Sequence, residues 1–189
     1  MQLTRILMAW MRSIRIGSCF AALVLTISLI VTFTSTQAEG EYLTEPELFL
    51  QQALGVSNPT SGMVWLTGEK KVSATNILGH EPNFMRLRYW GDSSRSAWIV
   101  DEIGKTEPIT IGVVVSGNAI EEVSVLAFRE SRGWEIQHDF FTNQFVGVSL
   151  TESGNLTQSI DGISGATLSV RAMRNVSRLI LYLSQSIAG

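Results

Sequence analysis

The chain has 189 residues, a formal net charge of -3 and a sequence pI of 5.4. That balance offers no electrostatic footprint for nucleic acid. The single cysteine, Cys19, allows neither an intramolecular disulfide nor a thiolate metal cluster, so any redox role requires a bound cofactor.

Residues Ile16 to Phe33 form an apolar run without a charge, preceded by Arg5, Arg12 and Arg15 and followed by Glu39, Glu41 and Glu45. Basic residues on the N-terminal side alone place that end in the cytoplasm and the rest of the chain outside. At roughly 18 residues the run is just long enough to span a bilayer and longer than the usual core of a signal peptide. Thr36-Gln37-Ala38 makes a fair cleavage site, and a retained anchor is favoured over cleavage. The expectation is a single-pass protein of the cytoplasmic membrane with its C-terminal domain on the extracytoplasmic, periplasmic side. The boundaries expected are 1–38 for the anchor or signal segment, 39–108 for the first part of the soluble domain and 109–189 for its functional core. The soluble part, about 150 residues, has the size of one domain.

Thr44 and Glu47 have capping-box spacing, Pro46 suits a first helical turn, and Leu48, Phe49, Ala53 and Leu54 follow on one face, predicting a short helix that ends near Gly55. Asn58-Pro59-Thr60-Ser61-Gly62 is a turn cluster. Met63 to Leu66 reads as a strand and Glu69 to Leu78 as a helix. Strand signals then recur: Met85 to Trp90 alternates, Ala97 to Ile103 is β-branched and apolar, and Thr110 to Val115 reads as a buried strand. Gly117-Asn118 turns the chain into Ile120 to Phe128, predicting a hairpin. Arg129 to Gly147 is a polar and aromatic stretch with one or two short helices. Leu168, Ala172, Met173, Val176, Leu179, Ile180, Leu183 and Ile187 recur at three- and four-residue intervals, the clearest helix of the chain. Strands followed by a terminal helix predict an α+β fold, a mostly antiparallel sheet packed by helices, preceded by the N-terminal hydrophobic helix.

Just before that last helix stands Asp161-Gly162-Ile163-Ser164-Gly165-Ala166-Thr167. A helix start exposes unpaired N–H groups and the positive end of the macrodipole, a setting suited to phosphate. Local physics by itself favours a plainer reading, in which Ser164 or Thr167 caps the helix and Asp161 occupies the preceding turn.

A resemblance reverses that preference. Asp161, Ser164, Gly165, Ala166 and Thr167 fit the D-x-x-[ST]-G-A-[ST] pattern of the FMN-binding domain family, which includes peripheral subunits of sodium-pumping NADH:quinone oxidoreductase and of Rnf complexes. Similarity extends over about Ile109 to Leu183, in family order: the hairpin at Gly117-Asn118, Glu130-Ser131-Arg132-Gly133 resembling an E-[TS]-x-G turn, and Gln144-Phe145-x-Gly147 resembling a Q-F-x-G element. Many relatives carry Thr-Pro-Gly after the glutamate, whereas this chain has Ser131-Arg132-Gly133.

The resemblance implies FMN joined by a phosphoester to Thr167, made by an FAD-dependent flavin transferase that expels AMP. Thr167 is then a substrate of that transferase and no catalytic nucleophile of this chain. A threonine hydroxyl needs help to attack phosphate; Asp161 is close enough in sequence to assist or to hold magnesium. Gly165 and Ala166 let the phosphate approach the main chain. Ser131 and Gln144 are candidates for hydrogen bonds to the isoalloxazine edge, Gly133 for admitting the ring, Glu130 for orienting its turn, and Phe145 and Trp134 for stacking. Each of these has an ordinary structural alternative, a cap, a turn, a solvated side chain or a core aromatic.

His80 and His138 have no companion at metal-ligand spacing. Trp65, Trp90 and Trp98 read as core or sheet-face residues, and Arg171, Arg174 and Arg178 as a solvated helix face. The expected function is a membrane-anchored, extracytoplasmic carrier of electrons, working between a quinone- or cytochrome-linked membrane redox module and a terminal acceptor. Two alternatives stand beside it: a flavin-dependent reductase with its own substrate, and a redox-sensing or assembly module of a membrane complex.

Overall fold

The computed structural model describes residues 42–187. The apolar run, Cys19 and the cleavage site lie outside the described residues. Among the described residues no helix is long and apolar enough to cross a membrane.

Helix α1, Pro46–Leu54, starts on a proline whose missing N–H costs nothing in a first turn. The expected Thr44–Glu47 capping box does not form: the N-cap is Glu45 and no side chain caps it. The reason lies in the entry path, since the N–H groups of Leu43 and Thr44 both point at the Leu126 carbonyl and tie the chain to a strand instead. Gly55 closes the helix at φ 68, a left-handed conformation that glycine adopts without strain. Strand β1 is Ser61–Trp65 and helix α2 is Glu69–Leu78.

Four more strands follow: β2 Arg86–Gly91, β3 Arg95–Ile103, β4 Pro108–Ser116 and β5 Ala119–Phe128. They complete a five-stranded antiparallel sheet in the order β1-β2-β3-β4-β5. Each strand pairs with its sequence neighbour, so short turns suffice throughout. The β3–β4 ladder runs in register from Arg95↔Ser116 to Ile103↔Pro108. The β4–β5 hairpin turns at Gly117-Asn118 and carries irregularities at Thr110/Ile111 and Val114/Val115.

Continuous burial from Ile109 to Val115 requires cover on both faces of β4. On one face, α1 sets Phe49, Leu50 and Ala53 against Ala97, Val114 and Leu126. On the other, Trp98, Val100, Ile109, Ile111 and Val113 pack with α2 and the long helix α4, Thr167–Gln185. Met173, Val176, Leu179, Ile180 and Leu183 are all at 0 % exposure, and each such burial contributes about 1.5–3 kcal/mol. That seam fixes α4 on the sheet and thereby fixes where its first turn emerges. Trp98 is fully buried, Trp90 half-buried and Trp65 exposed.

The connection from β5 to α4 contains a 3₁₀ turn, Trp134–Gln137, the short helix α3, Asp139–Thr142, and a second 3₁₀ turn, Asn143–Phe145. A strap from Gly147 to Ala166 then returns to the sheet. Ile120 N–H donates to the Val148 carbonyl, and Gly147 N–H donates to Ile120.

Candidate functional site

Three connections meet at the start of α4: the β3–β4 turn, the turn after β5, and the Ser164–Ala166 approach to the helix. They enclose a cleft of about 610 Å³ lined by Lys105, Glu130, Ser131, Arg132 and the run from Gly165 to Ser169. A smaller hollow of about 200 Å³ adjoins it, with Gly133, Trp134, Glu135 and Ser164 in its wall.

Ala166 is the N-cap, its side chain offers no acceptor, and no side-chain cap bond is made. Its N–H donates to Ile163 and its carbonyl accepts from Val170, the first bond of the helix. Neither Ser164 nor Thr167 caps, so the plainer reading of those hydroxyls does not hold. The amides of Thr167, Leu168 and Ser169 are the donors that a helix start leaves without intrahelical acceptors. Thr167 is exposed, with its hydroxyl on the first turn beside them.

Ser169 is different from its neighbours. It is 3 % exposed and lines the cleft. Serines inside helices usually donate back to the preceding turn; this one is aimed at the Gly133 turn, where its Oγ lies 3.4 Å from the position a Cβ of residue 133 would take.

Glu130 organises the opposite wall. One carboxylate oxygen accepts the backbone N–H groups of Lys105, Thr106 and Glu107 at 2.5, 2.6 and 3.0 Å, and the other accepts the Thr106 hydroxyl at 3.1 Å. Burial pushes this carboxyl upward, but the amides outweigh it and hold it below the ordinary glutamate range. Glu130 thus grips the β3–β4 turn instead of its own. The consequence is positional: Lys105, on that turn, lines the cleft together with Arg132.

Gly133 has φ 90, and a Cβ there would sit 3.0 Å from the Ala166 Cβ. The glycine allows close approach of the β5 turn to the helix start. Gln144 and Asp161 do not line the cleft. The Gln144 Oε1 accepts the Asp161 N–H at 2.7 Å, which ties down the strap leading to the helix and leaves that oxygen committed. Phe145 is fully buried and meets Phe141 edge-on at 5.6 Å, so its ring belongs to the core. Trp134, by contrast, is 53 % exposed in the wall of the smaller hollow. Thus Thr167, Gly165, Ala166, Glu130 and Ser131 come together in the cleft, Ser164 and Gly133 adjoin it, and Gln144, Asp161 and Phe145 support or stand apart.

Sequence reading missed Lys105, Arg132 and Ser169. Arg132 stands inside a stretch already singled out, but nothing local marks Lys105, which depends on the grip of a distant carboxylate. The charged side chains lining the cleft are Lys105 and Arg132 and the Glu130 carboxylate, whose negative charge its hydrogen bonds stabilise. Two cations beside open helix amides are groups able to face an anion.

The fold is an α+β domain with the cleft at the start of its long C-terminal helix. Residues 104–181 match the family model of the FMN-binding domain. Among curated proteins nothing matches. Among solved structures, NqrC of Shewanella oneidensis is similar at a TM-score of 0.44 and 17 % identity, over 76 % of this chain and 78 % of that one.

Proposed function

We propose that this protein is an electron carrier anchored in the cytoplasmic membrane, with its domain on the extracytoplasmic side and FMN held by a phosphoester to Thr167. The observation that carries the reading is the exposed Thr167 hydroxyl on the uncapped first turn of α4, in a cleft with Lys105 and Arg132. The domain family supports FMN as the group; when bound, it supplies reversible electron transfer that no side chain of this chain provides.

The residues have separable duties. Thr167 Oγ1 accepts the FMN portion of FAD in a reaction run by a flavin transferase: the new O–P bond forms, the diphosphate bond breaks, and AMP leaves. The helix amides and the two cations face the charge of the phosphate. Trp134 offers an exposed aromatic face in the adjoining hollow. The apolar run Ile16 to Phe33, flanked by arginines on one side only, supports the anchor and its orientation. A membrane redox module and a terminal acceptor are the partners this role requires.

The test is intact-mass measurement of the chain exported together with a flavin transferase. The wild type should carry one FMN mass, Thr167→Ser should keep it and Thr167→Ala should lose it. An unmodified wild type, or an adduct that survives in Thr167→Ala, refutes attachment at Thr167.

A further inference from the structure

Helix α1 covers only part of its face of the sheet, where Phe49, Leu50 and Ala53 meet Ala97, Val114 and Leu126. By alternation along the antiparallel register, Met63, Trp65, Arg86, Arg88, Asp101 and Ile103 stand on that same face. Trp65 is 52 % and Ile103 45 % exposed, and Arg86 and Arg88 are exposed beside them. Trp65 is opposite Arg86 in the β1–β2 ladder, with the guanidinium 5.3 Å from the indole centroid; Arg88 lies 5.9 Å from the Trp90 ring. Stacking uses the flat side of a guanidinium and keeps its N–H edge available to an anion. Among the described residues neither arginine has a carboxylate partner. Asp101, the acid on this face, already accepts the Thr110 hydroxyl at 2.6 Å.

We infer that this uncovered part of the sheet face is a membrane-docking surface, with anionic phospholipid headgroups as its occupant. The inference rests on the anchored reading above and adds which side of the domain lies on the bilayer. Two observations favour lipid. The first is where the chain joins the domain. Leu43 and Thr44 donate their N–H groups to the Leu126 carbonyl, and Arg129, which donates to the Thr110 hydroxyl, lies 5.8 Å from the Tyr42 ring. Thr110 and Leu126 belong to the α1 side, so the entry is on the same face. Between Phe33, the end of the apolar run, and Tyr42 stand only the eight residues Thr34 to Glu41. Fully extended, they reach about 30 Å, whereas five strands are about 20 Å across. A tether that short keeps the face at high effective concentration beside the bilayer. The second observation is the residue mixture. Tryptophan favours the headgroup layer, and guanidinium N–H groups match phosphate oxygens. Docking on this face would hold the domain in one orientation, and with it the direction in which the flavin cleft is presented.

The experiment uses the full chain carrying Trp10→Phe, so that every remaining tryptophan lies in the domain. It is reconstituted in vesicles of phosphatidylcholine, alone or mixed equally with phosphatidylglycerol, that contain a phospholipid with a nitroxide on its headgroup. Tryptophan quenching should be strong with phosphatidylglycerol and weak without it, and Trp65→Phe should remove most of the difference. Arg86→Gln or Arg88→Gln should each lower the ratio of docked to undocked domain about fivefold. Molar salt should release the face in the same way. All three side chains are exposed, so the melting temperature in detergent should not change. Quenching that ignores phosphatidylglycerol, or that survives both Trp65→Phe and the arginine pair, overturns the docking face. Absence of any lipid-dependent quenching overturns it too and leaves an acidic protein as the partner for the arginines. Flotation of the same vesicles in molar salt reads the anchor separately. A chain that floats there without anionic-lipid quenching refutes the face alone. One that floats only at low salt, through Trp65 and the arginines, refutes the anchor and leaves the face standing.

Discussion

Gly133→Ala tests how the β5 turn holds the helix start. Two costs add at this position. The backbone has φ 90, where an L-residue loses about 1–2 kcal/mol relative to glycine. The new methyl would lie 3.0 Å from the Ala166 Cβ, 3.4 Å from the Ser169 Oγ and 3.5 Å from the Ala166 Cα, and overpacking of this kind adds about 1 kcal/mol or more. Gly147 supplies the control. Its φ is 79 but a Cβ there meets nothing within 4 Å, so Gly147→Ala should show the backbone cost by itself. Urea unfolding of the full chain, followed by tryptophan fluorescence with Trp98 as the buried reporter, should place Gly133→Ala about 2–3 kcal/mol below the wild type and about 1 kcal/mol or more below Gly147→Ala. Gly133→Ala should also lower flavin occupancy, because relief comes by moving Ala166 and with it Thr167. A Gly133→Ala protein no less stable than Gly147→Ala would show that the close approach has no energetic weight.

Glu130→Gln should loosen the Lys105 turn and cost about 1 kcal/mol at neutral pH after allowance for solvent at the cleft edge. Because the folded carboxyl sits below the ordinary glutamate value of 4.5, its contribution is present above that value and lost as pH falls through the lower folded one. The gap between wild type and Glu130→Gln in thermal melts should therefore narrow below pH 4.5, and a constant gap refutes the grip. Phe145→Ala should cost about 3–5 kcal/mol as a core deletion, whereas Phe145→Leu should be milder and keep its FMN by intact mass; a stable Leu variant without flavin would return Phe145 to the site. His80 Nδ1 bonds the Glu81 carbonyl, and its Nε2 meets the buried Glu102 carboxylate at 2.7 Å, so both raise its pKa from 6.5. Its stabilisation is full below 6.5 and fades as pH rises through the folded value. An NMR titration of His80 with a midpoint at or below 6.5 contradicts that pairing.

Local signals carried much of this molecule. The β-branched run from Thr110 to Val115 marked a buried strand, and Gly117-Asn118 marked the hairpin that follows. The three- and four-residue spacing from Leu168 to Leu183 determined the long helix, and Asp161 to Thr167 marked its chemical start. These are readable because side-chain period and turn chemistry act over a few residues. Tertiary structure alone decided what surrounds Thr167. Glu130 draws in the amides of Lys105, Thr106 and Glu107 from another hairpin, Gln144 is used up in holding the strap at Asp161, and Phe145 is drawn into the core. Those outcomes depend on which loops the sheet order and the α4 seam bring to one place, a long-range consequence of packing that no window of sequence contains.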